Sequence, residues 1–421
     1  DLGGIAKWLK YRSFEIGLVG HCKTNAKAIE ITIKSTAMSR VSVNPEILHW
    51  ARERAGVSVD VLGHLFPKFE QWETGEVKPT LKQLEALAKK TLTPLGYFFL
   101  DTPPEDRLPI PDFRTLDDRA VHRTSPNLLD TVQMMQRRQA WMLEFLIEQG
   151  QPRLPFVGAA EPTDDPVQVA THIRQVLGIG DRWAAQHRTW EDALRALRLA
   201  VEKAGILIIT NGIVGNNTRR KLDPAEFRGF VLPDAYTPLV FINGVDGKAA
   251  QMFTIAHELA HVWFDKSAVF DLRELQPAED RTEIACNKVA AEFLVPEREL
   301  RALWPMEGQD TESFQVIARN FKVSTLVAAR RALDLDLINR ETFFDFYRNY
   351  LEDERRFSAL RKRKPGGDFY ANQNARVGRR FAYAVVRAAK EGRILYRDAY
   401  QLTGLQGKTF DKYAKSLGLG F

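Results

Sequence analysis

The residues best suited to chemistry are His257, Glu258 and His261, within Gln251 to Phe264 (QMFTIAHELAHVWF). That stretch holds neither Pro nor Gly, so nothing in it breaks a helix. Met252, Ile255, Ala256, Leu259, Val262 and Trp263 recur at helical spacing and form an apolar stripe for burial. Thr254, His257, Glu258, His261 and Asp265 fall on the neighbouring stripe. Residues four apart stand one above the other on a helix, so both imidazoles face a single point, as a tetrahedral Zn2+ site requires. Glu258 projects beside them, where a carboxylate can take a proton from water held on the metal. Histidine is scarce, 8 in 421 residues, and chance would yield HExxH in on the order of one such chain in a hundred. The pattern therefore reads as a metallopeptidase motif rather than a solvated helix with two accidental histidines.

A catalytic zinc needs a third protein ligand and an open position. Downstream lies RTEIACNKVAAEFLVP, in which Glu283, Cys286, Asn287 and Ala290 share one helical stripe. Ala290 and Ala291 are small enough to let this helix approach the first. Glu283 is the expected third ligand. Asn287, one turn on, is placed to accept a hydrogen bond from a ligating imidazole N–H. Cys286 as a thiolate, Glu279 and Glu292 are rival ligands. Glu292 fits the opposite, structural face better, and Cys286 otherwise reads as a small buried hydrophobe.

The elements that must position these groups are mostly helical. RGFVL (Arg228–Leu232) and PLVFIN (Pro238–Asn243), separated by the turn-rich PDAYT, predict an antiparallel strand pair running into the HELAH helix. An exposed sheet edge beside a metal could take up an extended peptide as an added strand, although packing alone also explains the strands. Gly205 ends a predicted helix over Thr189–Ala204, before the buried strand ILIIT. Further helices are predicted at Pro166–Leu177 and at Leu128–Gln149, whose Met and aromatic stripe reads as core. The expected class is α+β, mainly helical, with a small antiparallel sheet in the central domain that carries the metal motif.

Composition bounds the alternatives. The length allows two to four domains, and 44% hydrophobic with 27% charged residues is ordinary for a globular protein. No apolar run approaches the ~18 residues a bilayer span needs, and no signal-peptide pattern is present, so no membrane role is expected. Cys22 and Cys286 are the only cysteines, which rules out a disulfide framework or a Cys-based structural zinc; a reducing cytoplasm is the default compartment. A net charge of +6 permits nucleic-acid contact without demanding it.

In chain order, residues 1–37 read as a non-domain extension ahead of Met38. Residues 38–100 carry a helical repeat, with Ser58 and Thr80 as N-caps, Gly56 closing the first helix, and Trp72-Glu73-Thr74-Gly75 ending the third. Pro45 to Leu100 resembles the Xre-type (lambda-repressor-like) helix-turn-helix at Trp72, Glu73, Gly75, Pro79 and Leu84. Between Gly56 and Trp72 the chain is about four residues shorter than that pattern, and Pro67 falls where the base-reading helix should begin. Lys68 and Gln71 are the candidate DNA contacts there; a helical module docking onto protein is the alternative. Residues 101–127, rich in Pro, Asp and Arg, read as a linker. Residues 128–310 hold the metal motif, and 311–421 a helical C-terminal region. Within the latter, Phe314 to Ile338 has helix-turn-helix spacing about Lys322-Val323-Ser324, with Arg330 and Arg331 as candidate phosphate contacts. The RKRK run before Pro365-Gly366-Gly367 reads as a solvated linker. The last helices, Ala375–Gly392 and Tyr396–Gly418, show basic amphipathic packing only.

Phe227 to Pro296, with FRGF, PLVFINGVDGKAAQMFTIAHELAH and E-x-x-C-N-x-x-A-A-E-F-L-V-P, resembles the ImmA/IrrE metallopeptidases. These are gluzincin-like zinc proteases often coupled to an Xre-type domain. The resemblance implies His257, His261 and Glu283 as zinc ligands and Glu258 as general base. It also implies a repressor-like protein as substrate, since known members act as anti-repressors. Some relatives with the Xre domain in cis are regulators or antitoxin-like proteins. Asn287 stands where thermolysin-like enzymes carry Asp, so the ligand it orients should be less basic. Two functions follow: a zinc endopeptidase cleaving a regulatory protein, or a DNA-binding regulator whose metal site is structural or sensory. The oligomeric state is not readable from the sequence.

Overall fold

The computed structural model describes residues 40–104, 124–266, 268–270, 280–304, 311–360 and 369–419. Residues 1–37, most of the linker, Glu279 and the RKRK run lie outside the described residues. The chain divides into two compact units between Glu105 and Asp106. It is mainly helical with a small mixed sheet in its central region, an α+β fold.

The first unit holds α1 (Pro45–Arg54), α2 (Val59–Leu65), α3 (Phe69–Glu73) and α4 (Leu81–Thr91). Each start has a local cause. Asn44 Oδ1 accepts from Glu46 N, and Ser58 Oγ accepts from Val61 N. Thr80 and Gln83 cap each other reciprocally at the head of α4. Ile47, Leu48, Ala51, Leu62, Phe69, Trp72, Leu84, Leu87 and Phe98 close the core, and Arg52 Nε donates to Glu73 at 2.8 Å across it.

The second unit is built around a four-stranded sheet. Its strands are β1 (Leu207–Asn211), β4 (Gly229–Leu232), β5 (Leu239–Asn243) and β6 (Ala268–Phe270), in the order β1-β5-β4-β6. A hairpin of β2 (Ile213–Val214) and β3 (Asn217–Lys221) stands apart. β4 and β5 pair antiparallel as expected, with Phe230 opposite Phe241. β1 runs parallel to β5, with Ile209 opposite Phe241, so the sheet is mixed and not purely antiparallel. Strand periodicity tells which face a residue takes and says nothing of strand direction. The β2–β3 hairpin escaped the sequence reading because NTRRK carries no apolar alternation.

Alternate residues divide the sheet between two cores. Ile206, Ile208, Val231, Val240 and Ile242 face α6 (Pro166–Leu177), α7 (Trp190–Ala204), α8 (Lys248–Phe264) and α9 (Arg281–Leu294). The same core takes in Leu300 of α10 (Glu297–Leu303) and the buried sides of α11 (Thr311–Phe321), α12 (Thr325–Asp334) and α13 (Arg340–Leu360). Leu207, Ile209, Phe230, Leu232, Leu239 and Phe241 face the other way, onto α5 (Pro126–Glu148) and four C-terminal helices. Those are α14 (Phe369–Val377), α15 (Arg379–Lys390), α16 (Tyr396–Thr403) and α17 (Gly407–Ser416). Met135, Met142 and Leu146 of α5 are core, as their spacing predicts. The two long C-terminal helices of the sequence reading are each broken, at Gly378, whose positive φ (+82°) departs from helix geometry, and at Gly404 (φ +71°), which takes the left-handed conformation that ends a helix. Arg138 is buried between these breaks, donating to Leu402 O at 3.0 Å and Arg376 O at 2.9 Å. Burial lowers its pKa to about 10. No helix among the described residues is long and apolar enough to cross a membrane.

Candidate metal centre

The metal motif sits on α8, a helix fixed at both ends. Gln251 Nε2 donates to Asp246 O at 2.7 Å near its start. At its finish the Val262 and Trp263 carbonyls accept from Gly158 N and Ala160 N at 3.2 and 3.1 Å. Trp263, fully buried, stacks on Phe156 with centroids 4.6 Å apart and donates to His172 Nδ1 at 3.2 Å. With the apolar stripe so anchored, the adjacent stripe has one orientation available, toward α9. The small, buried Ala290 lets the two helices approach.

His257 Nε2 lies 3.1 Å from Glu283 Oε2, and His261 Nε2 lies 3.1 Å from Glu283 Oε1. The two imidazole Nε2 atoms are also 3.1 Å apart. Donors bonded at 2.0–2.1 Å to a tetrahedral zinc stand roughly 3.3–3.4 Å from one another, and these separations, with each imidazole facing its own Glu283 oxygen, are of that order. Glu283 Oε1 is out of hydrogen-bond alignment with the imidazole it approaches, which suits convergence on a shared centre better than pairwise bonding. The residues present fit a zinc ion.

Asn287 completes the support of His257, its Oδ1 lying 3.1 Å from Nδ1. That contact keeps the ring proton on Nδ1 and leaves the Nε2 lone pair facing the centre. His261 Nδ1 has no partner among the described residues. Asp280 holds the first turn of α9 by accepting from Thr282 N and Glu283 N at 2.8 and 3.1 Å. Burial pushes the His257 pKa down despite the opposing charge of Glu283, which favours the neutral ring. Burial alone would raise the Glu283 pKa, but the two imidazoles beside it, His257 foremost, outweigh that and lower it.

The third-ligand rivals separate by distance. Cys286 Sγ comes within 4.8 Å of a ring nitrogen of both histidines, and a Glu283 oxygen stands 3.1 Å from each ring. Burial, then Glu283, Glu258 and Asp280, push the Cys286 thiol pKa well up, which disfavours a thiolate. Glu292 is engaged elsewhere, accepting from Glu297 N at 3.2 Å and pairing with Arg331.

Glu258 is fully buried, and neither carboxylate oxygen has a hydrogen-bond partner. Burial first, and the Glu283 charge second, raise its pKa well above the usual carboxylate range. Opposite it stands Gly229 of β4. A Cβ there would meet Glu258 Oε1 at 3.1 Å, Phe241 O at 2.9 Å and Thr254 Cγ2 at 2.6 Å. The sheet can lie this close to α8 only where a strand residue lacks a side chain. Sequence reading did not single out Gly229 as part of the site; its signal was a glycine inside a strand pattern. An exposed sheet edge was expected beside the metal; the edge of β4 is paired with β6, with Phe270 opposite Gly229.

Lys68 and Gln71 are exposed at α3, a helix of only 5 residues that also exposes Glu70. Arg330 is exposed and pairs with Asp334 at 2.9 Å. Arg331 contradicts the expectation: it is 9% exposed, ion-paired to Glu292, and donates to Val295 O at 3.0 Å. A guanidinium satisfied inside the fold is not available to a phosphate.

Two imidazoles and a carboxylate converge on adjacent helices, backed by a mixed sheet. Residues 201–333 match the peptidase family model described as the IrrE N-terminal-like domain (Peptidase_M78). Residues 377–416 match a domain of unknown function, DUF8813. No curated protein matches the chain.

Proposed function

We propose that the chain is a zinc-dependent endopeptidase in which His257, His261 and Glu283 hold the metal and Glu258 is the general base. The observation that carries this reading is the convergence of both imidazoles on Glu283 at 3.1 Å, beside a buried carboxylate that has no hydrogen-bond partner among the described residues. Zinc bound there supplies a Lewis acid for a peptide carbonyl and brings the pKa of water toward ~7. The chain's own groups do the rest. Asn287 fixes the tautomer of His257, and Glu283 offsets part of the dication's charge. Glu258, its pKa raised by burial, is suited to accept a proton and return it to the departing amine. The resemblance to anti-repressor proteases makes a repressor-like regulatory protein the substrate class.

A second reading is a DNA-binding regulator or antitoxin whose metal is structural or sensory. It draws support from the burial of His257, Glu258 and His261 and from β6 lying along the sheet edge. Metal analysis and one variant separate the two. Glu258→Gln should keep stoichiometric zinc and lose cleavage of a co-expressed repressor-like target. Undiminished biological activity in that variant would favour the regulator, and purified protein without stoichiometric zinc would remove both readings.

A further inference from the structure

Residues 355–364 carry six cationic and no acidic side chains, and the described C-terminal segment carries a further excess of positive charge. Residues 369–419 carry ten Arg and Lys against three Asp and Glu, a net of +7, while the whole chain carries +6. Every other residue together is therefore slightly acidic. By contrast, residues 40–104 hold eight cationic and eight acidic side chains and are neutral.

Within the basic segment α16 and α17 form a helix-turn-helix. Gly404, in the left-handed conformation, closes α16, and buried Leu405 starts the short turn into α17. Ring contacts join the helices, with Tyr400 and Phe410 centroids 5.3 Å apart and Tyr396 and Phe410 6.1 Å apart. α17 buries Phe410, Tyr413 and Ala414, and Tyr413 Oη donates to Asn374 Oδ1 at 3.0 Å. The opposite face of α17 exposes Lys408, Lys412 and Lys415, spaced i, i+4 and i+7 on a single stripe. The ion pairs of this region join Arg387 to Glu391, Arg393 to Glu391 and Glu148, and Arg397 to Asp398. Among the described residues the three lysines have no carboxylate partner.

We propose that α17 is the helix with which this protein engages duplex DNA, independently of the metal centre. A cationic stripe on a helix held rigid by its apolar side fits a polyanion, and a single helix fits the B-form major groove, about 12 Å wide. The deep, narrow major groove of duplex RNA excludes a helix. A membrane surface is disfavoured because the apolar residues of α17 are spent on the core and its outer face offers none for insertion. The other two segments with helix-turn-helix spacing lack such a face. One is neutral with a truncated reading helix, and the other turns Arg331 inward and pairs Arg330.

The test uses the full-length protein, a labelled random duplex of about 30 base pairs, and fluorescence anisotropy across a salt series. Wild type should bind at low salt. Lys408→Gln, Lys412→Gln and Lys415→Gln combined should weaken binding roughly a hundredfold or more at about 50 mM salt and flatten the log–log salt slope by about 2.5. Lys→Arg at the same positions should retain binding, and Asp411→Lys should tighten it, which keeps the idea testable if the triple variant folds poorly. Lys68→Ala with Gln71→Ala should change little. The proposal is overturned if wild type does not bind at low salt, or if the triple variant keeps the wild-type slope. It is equally overturned if the Lys68/Gln71 variant loses as much, if Asp411→Lys has no effect, or if phosphatidylserine vesicles are captured and duplex is not.

Discussion

Replacing Gly229 by alanine places a methyl group where three atoms already stand, and they differ in how far they can yield. Thr254 Cγ2, 2.6 Å from the new carbon, belongs to a side chain on α8 whose hydroxyl donates to Ala250 O at 3.0 Å. Phe241 O, at 2.9 Å, is backbone in the centre of the sheet and cannot rotate away. Glu258 Oε1, at 3.1 Å, is the group proposed to move the proton. Relief therefore requires β4 and α8 to separate, and overpacking of this kind costs typically 1–3 kcal/mol. For a unit of this size each kcal/mol lowers the midpoint of thermal unfolding by about 2–4 °C, so a fall of roughly 3–10 °C is expected. Thr254→Ala in the same chain removes one of the three clashes and should recover part of the loss, never all of it, because the carbonyl remains. Calorimetry on the single and double variants, with zinc content measured alongside, makes the comparison. A Gly229→Ala protein that melts with wild type would refute the close packing of β4 on α8 and the account of Glu258 built on it.

Three further outcomes follow from the same geometry. Glu283→Ala should abolish stoichiometric zinc binding while Cys286→Ser retains it; the reverse, measured by metal analysis, would make the thiol the third ligand. Asn287→Ala should weaken zinc by about 10- to 100-fold in a chelator competition, since the tautomer of His257 would no longer be held. Arg138→Ala should leave the Leu402 and Arg376 carbonyls without their donor inside the core, with charged-donor bonds worth about 1.5–3 kcal/mol each, and denaturant unfolding should register that loss.

How much was legible in advance varied with the range of the signal. The helix that carries HExxH, its apolar stripe and the helix starts at Ser58, Thr80 and Thr189 depend on residues within a turn or two of one another, and each of these elements was read correctly. The β4–β5 pair was legible for the same reason. The parallel pairing of β1 was not, because its direction depends on a partner more than thirty residues away. Nor was the breaking of the C-terminal helices, where Gly378 and Gly404 were single residues inside otherwise helical patterns.

From the sequence alone came the ligand types, their spacing on one helix face, and Glu283 as the favoured third donor. Only the tertiary structure gave the distances that bear on Glu283 and Cys286, which lie on the same stripe three residues apart: 3.1 Å from each imidazole to Glu283, and within 4.8 Å for the Cys286 sulfur. It also turned Arg331 inward to Glu292 and left the lysines of α17 outward. Periodicity assigns a residue to a face of its own helix; which face meets another element, and which meets water, is settled only when the helices pack.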